Sequence, residues 1–327
     1  MMELITGGSG SGKSAWAEGR VCRLRRKEEE TRGCRVPLYY IATMFPGGKE
    51  TEEKIENHRR MRAGKGFTTL EWYLDIEGHV RSQAPDDLSA ACVLVECMSN
   101  LTANEMYMDG GGGERAAEQI TEGIRLLRET CTHLVIVTNE VFSEAGTDSA
   151  EMRQYKENLG RINRTLAEKA DKVTEVVWGI PCTVKGSAEN RPEEGDFRKG
   201  SGKMKMVVGG AFQGKRAFAD AVYPGVQWID GADCPLTAVD AFEGMDHFHI
   251  FVRRWMEAGR DQIELLEKLQ AGNKNLVIIC DETGCGLVPV DAFERACREA
   301  VGRICTALAD KAERVDRVIC GIGTRIK

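Results

Sequence analysis

Eight residues near the start of the chain, Gly7-Gly8-Ser9-Gly10-Ser11-Gly12-Lys13-Ser14, have the types and spacing that hold a nucleoside triphosphate. Glycines let successive backbone N–H groups turn inward around phosphate oxygens, and a helix opening behind them adds partial positive charge at its N-terminus. Lys13 is expected on the β- and γ-phosphates and Ser14 on Mg2+; the loop itself hardly separates ATP from GTP. His58 is a second candidate, because a neutral imidazole is a competent nucleophile near pH 7. Glu50 to Arg62 has no Gly or Pro, so His58 is expected on a helix, with Arg59 and Arg62 close by to stabilise phosphate charge. Taken alone, a histidine among arginines reads as an ordinary solvated residue. Glu96 follows an apolar run, where a Mg2+-side carboxylate commonly sits.

Those residues need elements to position them. The pattern predicts a strand over 2–6, a helix over 13–28, a strand over 38–42 and a helix over 50–62. It continues with a strand over 92–96, a helix over 114–130, a strand over 134–138, a helix over 149–170 and a strand over 173–178. Short apolar strands alternating with helices predict an α/β fold of the P-loop NTPase (RecA-like) type, its mostly parallel sheet covered on both faces. Ligands in such folds sit at the carboxyl ends of the strands.

The chain contains its own duplicate. Met2-Glu-Leu-Ile-Thr-Gly-Gly reappears as Met204-Lys-Met-Val-Val-Gly-Gly, and both run on to Gly-Lys, at Lys13 and Lys215. Near the ends of the halves, Leu159-Gly-Arg-Ile matches Val301-Gly-Arg-Ile, and Gly179-Ile matches Gly321-Ile. The offset is 202 at the first match and 142 at the others, so the second copy has lost about 60 residues from its middle. The expected organisation is a first domain over 1–185, a polar, Gly-rich linker over 186–203 and a shortened domain over 204–327. The second loop places Arg216 where the metal-binding hydroxyl belongs, and Ala211-Phe212-Gln213 makes it bulkier, which predicts a catalytically silent copy.

Bulk properties narrow the class. The 327 residues suit two domains, and 42% apolar content suffices for ordinary cores. A net charge of -6 gives no sign of a nucleic-acid partner. No apolar run spans a membrane and the N-terminus opens on a strand, so a cytoplasmic protein without a signal peptide is expected. None of the 12 cysteines forms a C-x-x-C pair, which argues against a metal cluster and for reduced thiols.

With these motifs in view, the first half resembles the bifunctional adenosylcobinamide kinase / adenosylcobinamide-phosphate guanylyltransferase family. The resemblance covers essentially all of 1–185. It rests on the phosphate loop, Tyr40-Ile-Ala-Thr43, Ile55-Glu-Asn-His58-Arg59, Thr69-Leu-Glu71, Leu94-Val-Glu96-Cys97, Val137-Thr-Asn-Glu-Val141 and Leu159-Gly-Arg-Ile-Asn163. The family phosphorylates the aminopropanol hydroxyl of adenosylcobinamide with a nucleoside triphosphate. It then transfers GMP from GTP to that phosphate through a histidine–GMP phosphoramidate. The resemblance makes His58 that histidine. It places Ala42, Thr43, Arg62, Glu71 and Glu96 around the nucleotide with the loop, Glu71 and Glu96 being candidates to accept the guanine N–H groups.

The departures from the family pattern are complementary. After Val141 the family continues G-x-G-x-V-P, whereas this chain has Phe142-Ser-Glu-Ala-Gly-Thr147. The second half keeps that segment as Gly284-Cys-Gly-Leu-Val-Pro289 but lacks the I-x-x-H-R region, and its His247 and His249 align elsewhere and are read as non-catalytic. About one extra residue stands between His58 and Glu71. The second half is therefore expected to act as a built-in partner that gives its Gly284–Pro289 segment to the first half's site. Homo-oligomers with sites at domain or subunit contacts are a further expectation. Retention of a single activity, or a non-catalytic nucleotide-binding regulator, are the competing readings; intact Lys13, Ser14 and His58 weigh against the regulator.

Overall fold

The computed structural model describes residues 1–142, 149–186, 204–240, 242–272, 275–286, 289, 291–319 and 321–327. The expected linker, apart from residue 186, lies outside the described residues, as do Leu287, Val288, Cys320 and most of the segment after Phe142.

The first half runs β1 (Met2–Thr6), α1 (Lys13–Arg32), β2 (Leu38–Ala42), α2 (Lys49–Arg62), β3 (Thr68–Glu71), α3 (Ile76–Ser82), β4 (Cys92–Glu96), α4 (Met98–Tyr107), α5 (Ala116–Thr130), β5 (His133–Val137), α6 (Ala150–Lys169), β6 (Lys172–Val177) and β7 (Ile180–Lys185). The second runs β8 (Lys205–Gly209), α7 (Lys215–Val222), β9 (Trp228–Asp230), β10 (Gly244–Asp246), α8 (Phe248–Glu257), α9 (Gln262–Ala271), β11 (Val277–Asp281), α10 (Ala292–Lys311), β12 (Arg314–Ile319) and β13 (Ile322–Arg325). The sheets are ordered β3-β2-β4-β5-β1-β6-β7 and β13-β12-β8-β11-β10-β9. All neighbours are parallel except the final hairpins β6–β7 and β12–β13. The two orders are the same list read in opposite directions, with β3 missing from the second.

Register fixes the equivalence residue by residue. Glu3 pairs with Val135 in the first sheet, and Lys205 with Val277 in the second. Position 142 is thus the counterpart of position 284, and position 160 of position 302. Among the described residues α2, β3 and α3 have no counterpart, so the missing middle is the part that carries His58 and Glu71.

Elements missed from the sequence have physical reasons. β3 is mostly exposed and β7 is an edge strand exposed along its second half, so neither shows a buried apolar run. The first helix runs past residue 28 because Arg25–Glu29 and Arg32–Glu28 pairs stabilise its charged end; it stops at Gly33, in left-handed conformation.

The halves share a core. Val177, Trp178 and Ile180 of the first are buried in one cluster with Val301, Ile304 and Leu308 of α10. Arg317 of β12 donates to Glu175 of β6 at 2.5 and 2.9 Å, and also lies 3.3 Å from Glu282.

Candidate active site

The turn after β1 ends at Lys13, the first residue of α1, and its backbone is held from both halves. Gly179 N–H donates to the Ser11 carbonyl at 2.7 Å. From the second half, the Thr306 hydroxyl donates to the Gly10 carbonyl at 3.2 Å, and the Gly284 carbonyl accepts the Ser9 N–H at 2.7 Å. Gly10 has φ 70, and a β-carbon there would lie 2.9 Å from the Gly302 Cα, so glycine is required both by conformation and by contact.

Beside the loop opens a cleft of about 890 Å3. Ser9 to Ser14 line it, together with Ala42, His58, Arg62, Glu71 and Glu96 of the first half and Gly284, Gly286, Pro289, Arg298 and Thr306 of the second. The expected segment is therefore brought to the first half's loop, with Gly286 N–H donating to the Glu140 carbonyl at 3.2 Å. The wall of α10, including Arg295, Arg298 and Arg303, was not anticipated. Its signal was present as Arg295, Arg298, Gly302 and Thr306 at helical spacing, but the phosphate loop it faces lies about 300 residues away in sequence. Arg295 and Arg298 also donate to the Pro289 and Cys285 carbonyls, which anchors the segment.

At the strand ends the first half builds an oxygen cage. The Ser14 hydroxyl donates to Glu96 Oε1, and the Tyr40 hydroxyl donates to Oε2 at 3.1 Å. Burial, reinforced by the Glu96 charge, pushes the Tyr40 hydroxyl far above its ordinary range, so it remains a donor. Among the described residues no three His, Cys, Asp or Glu side chains gather to hold a metal by themselves. One hydroxyl and one carboxylate suit a hard divalent cation that takes its other ligands from water and phosphate. Lys13 is buried and donates to the Gly8 carbonyl at 3.0 Å; burial lowers its pKa, partly opposed by Cys97 and Glu96.

His58 sits on α2, partly buried, with Nδ1 shielded from solvent and without a hydrogen-bond partner. One turn on, the Arg62 guanidinium lies 3.6 Å over the Tyr40 ring, only 7% exposed, and its Nη1 has no partner. A buried, unbonded guanidinium N–H on a cleft wall is a donor waiting for an anion. Arg59 pairs with Glu71 at 3.0 Å. Glu71, at the end of β3, and Glu96, at the end of β4, therefore stand in different surroundings, and only Glu96 touches the loop serine.

Thr43, expected at the nucleotide, is fully buried and bonds the backbone of Cys97, accepting from its N–H at 2.7 Å and donating to its carbonyl at 2.8 Å; it is not among the residues lining the cleft. It sets the turn that follows Glu96. Gly7 and Gly8 shape the loop from behind: a β-carbon on Gly8 would lie 2.7 Å from the Gly284 carbonyl carbon.

The second loop is filled from within. Lys215 pairs with Asp281 at 2.6 Å, where the first half has the neutral Asn139. Arg216 lies 3.7 Å from Asp246, the counterpart of Glu96 by register. A guanidinium thus stands where the first half has a hydroxyl. His247 pairs with Asp230 at 3.0 Å, and His249 lies 3.8 Å from Asp281.

Fold and site together define a P-loop transferase with one chemically open phosphate cradle and a histidine in the same cleft. The family described as cobinamide kinase / cobinamide phosphate guanyltransferase matches residues 3–184 and 237–326, and the chain belongs to it. The bifunctional adenosylcobalamin biosynthesis protein CobU of Salmonella typhimurium is 30% identical over 199 residues, 57% of this chain and 100% of that protein. CobU of Escherichia coli is 32% identical over 197 residues, with the same shares, and CobP of Pseudomonas aeruginosa 30% over 189 residues, 57% of this chain and 98% of that one. A KaiC-like protein from Pyrococcus horikoshii superposes with a TM-score of 0.31 and 11% identity, over 53% of this chain and 71% of that one, a likeness too slight to build on.

Proposed function

We infer that the cleft phosphorylates the aminopropanol hydroxyl of adenosylcobinamide and then guanylylates the product, using GTP, with ATP or GTP for the first step. One observation carries this reading: the phosphate loop and His58 of the first half and Gly284, Gly286 and Pro289 of the second line a single cleft.

In the transfer, an imidazole nitrogen of His58 attacks the α-phosphorus of GTP. The bond to the β-phosphate oxygen breaks and pyrophosphate leaves. An oxygen of adenosylcobinamide phosphate then attacks the phosphoramidate, giving adenosylcobinamide-GDP and freeing the histidine. Lys13, the loop N–H groups and Arg62 hold the phosphate oxygens and stabilise their developing charge. Glu71 is assigned to the guanine, and Ser14 with Glu96 to Mg2+. A cation held there would neutralise phosphate charge.

The test is incubation with α-32P-labelled GTP and Mg2+, followed by denaturation. Acid-labile, alkali-stable protein label is expected, and its absence would refute the histidine route. Adenosylcobinamide with γ-labelled nucleotide tests the kinase step separately. In the described residues no helix is long and apolar enough to cross a membrane.

A further inference from the structure

The contact between the halves is head-to-tail: the first half's phosphate loop meets the second half's α10 and the turn after β11. Such a contact joins two different faces, so a chain of two similar units repeats both faces at its free ends. The free faces here are the second loop and the α6 side of the first half. If they fitted as the inner pair does, chains would add to chains.

Three positions decide whether they fit. Gly10, which packs against Gly302, becomes Phe212; this phenylalanine keeps the left-handed backbone, at φ 58, and projects fully exposed. Gly284, where a β-carbon would strike the Ser9 carbonyl oxygen, becomes Phe142, lying near Gly160 and 43% exposed. Thr306, whose methyl would come within 3.1 Å of a β-carbon on Gly179, becomes Arg164, which is exposed. Each substitution puts a larger side chain where the inner contact is already closely packed. The enlargements fall on both free faces, whereas Gly160, the counterpart of Gly302, is unchanged.

We propose that Phe212 on one free face, with Phe142 and Arg164 on the other, cap the molecule and bar a second copy of the chain from joining head-to-tail. One chain is then one closed assembly with one complete site.

Light scattering after size-exclusion chromatography tests this on the full chain over a wide concentration range. Three proteins are compared: wild type, Phe212→Glu, and the triple variant Phe142→Gly/Arg164→Thr/Phe212→Gly, which restores the inner-contact residues. Wild type and Phe212→Glu are expected to share one mass, while the triple variant's mass rises with concentration towards twice that value or more. A wild-type mass that falls on Phe212→Glu overturns the proposal, because that face would then already be a contact. A triple variant that melts cooperatively, as wild type does, yet gains no mass also overturns it.

Discussion

His58 and Arg62 are the residues in which surroundings and chemistry meet most closely. Both line the cleft that holds the phosphate loop, and each carries a shielded nitrogen without a partner. His58→Ala should abolish covalent labelling by α-labelled GTP yet leave nucleotide binding within a few-fold, as equilibrium dialysis would show. Retained label would move the nucleophile elsewhere. Lys13→Ala removes a charge-assisted hydrogen bond of about 1.5–3 kcal/mol, so nucleotide affinity should fall roughly 10- to 100-fold. The loop was legible from its glycines because its function is local in sequence. His58 was not: its helix shows only a charged face, and the family resemblance supplied its role. Thr43 is the converse case: a threonine at a strand end suits a ligand and a backbone staple equally, and its burial and its two bonds to Cys97 favour the staple.

At the scale of elements, α10 and the turn after β11 complete a cleft whose phosphate loop and His58, the proposed nucleophile, lie in the other half. Gly284→Ala should push the Ser9 carbonyl out of place and reduce guanylyl transfer at least tenfold, while far-UV circular dichroism stays unchanged; full activity would separate the segment from the chemistry. Arg317→Ala would leave Glu175 and Glu282 facing each other with little solvent, a loss of about 3–5 kcal/mol readable by denaturant titration. Burial raises the Glu282 carboxyl above its ordinary 4.5 despite Arg317. The stability that group contributes is complete below 4.5 and is lost as pH rises through its folded value. Glu282→Gln should therefore gain in Tm relative to wild type from acid to neutral pH, and a falling difference would contradict the raised value. None of these contacts was readable beforehand in detail, because each joins residues more than 100 positions apart or depends on burial; only the segregation of motifs between the copies hinted at them.

The whole molecule is an asymmetric pair made from one ancestral plan. The repeated strand orders follow from repeated sequence, which is why the tandem architecture could be read from the offsets alone. What the second copy lost is the α2–β3 region. What it gained is an internal ion pair on each cation of its loop, with Asp281 on Lys215 and Asp246 near Arg216. A carboxylate already on the lysine competes with any phosphate, so titration calorimetry should find one nucleotide per chain. Lys215→Ala should leave that count unchanged, and two sites would show that the second loop still works.

Covalent fusion changes how such a shared site responds to mass action. Two separate subunits part when their concentration falls below their dissociation constant, and their specific activity falls with it. Here the Ser9–Gly284 contact closes within one chain, so the partner's effective concentration is set by the shared core and the connection between the halves. Activity per mole of enzyme should stay constant on dilution, and a cell making only a few copies would have each one working.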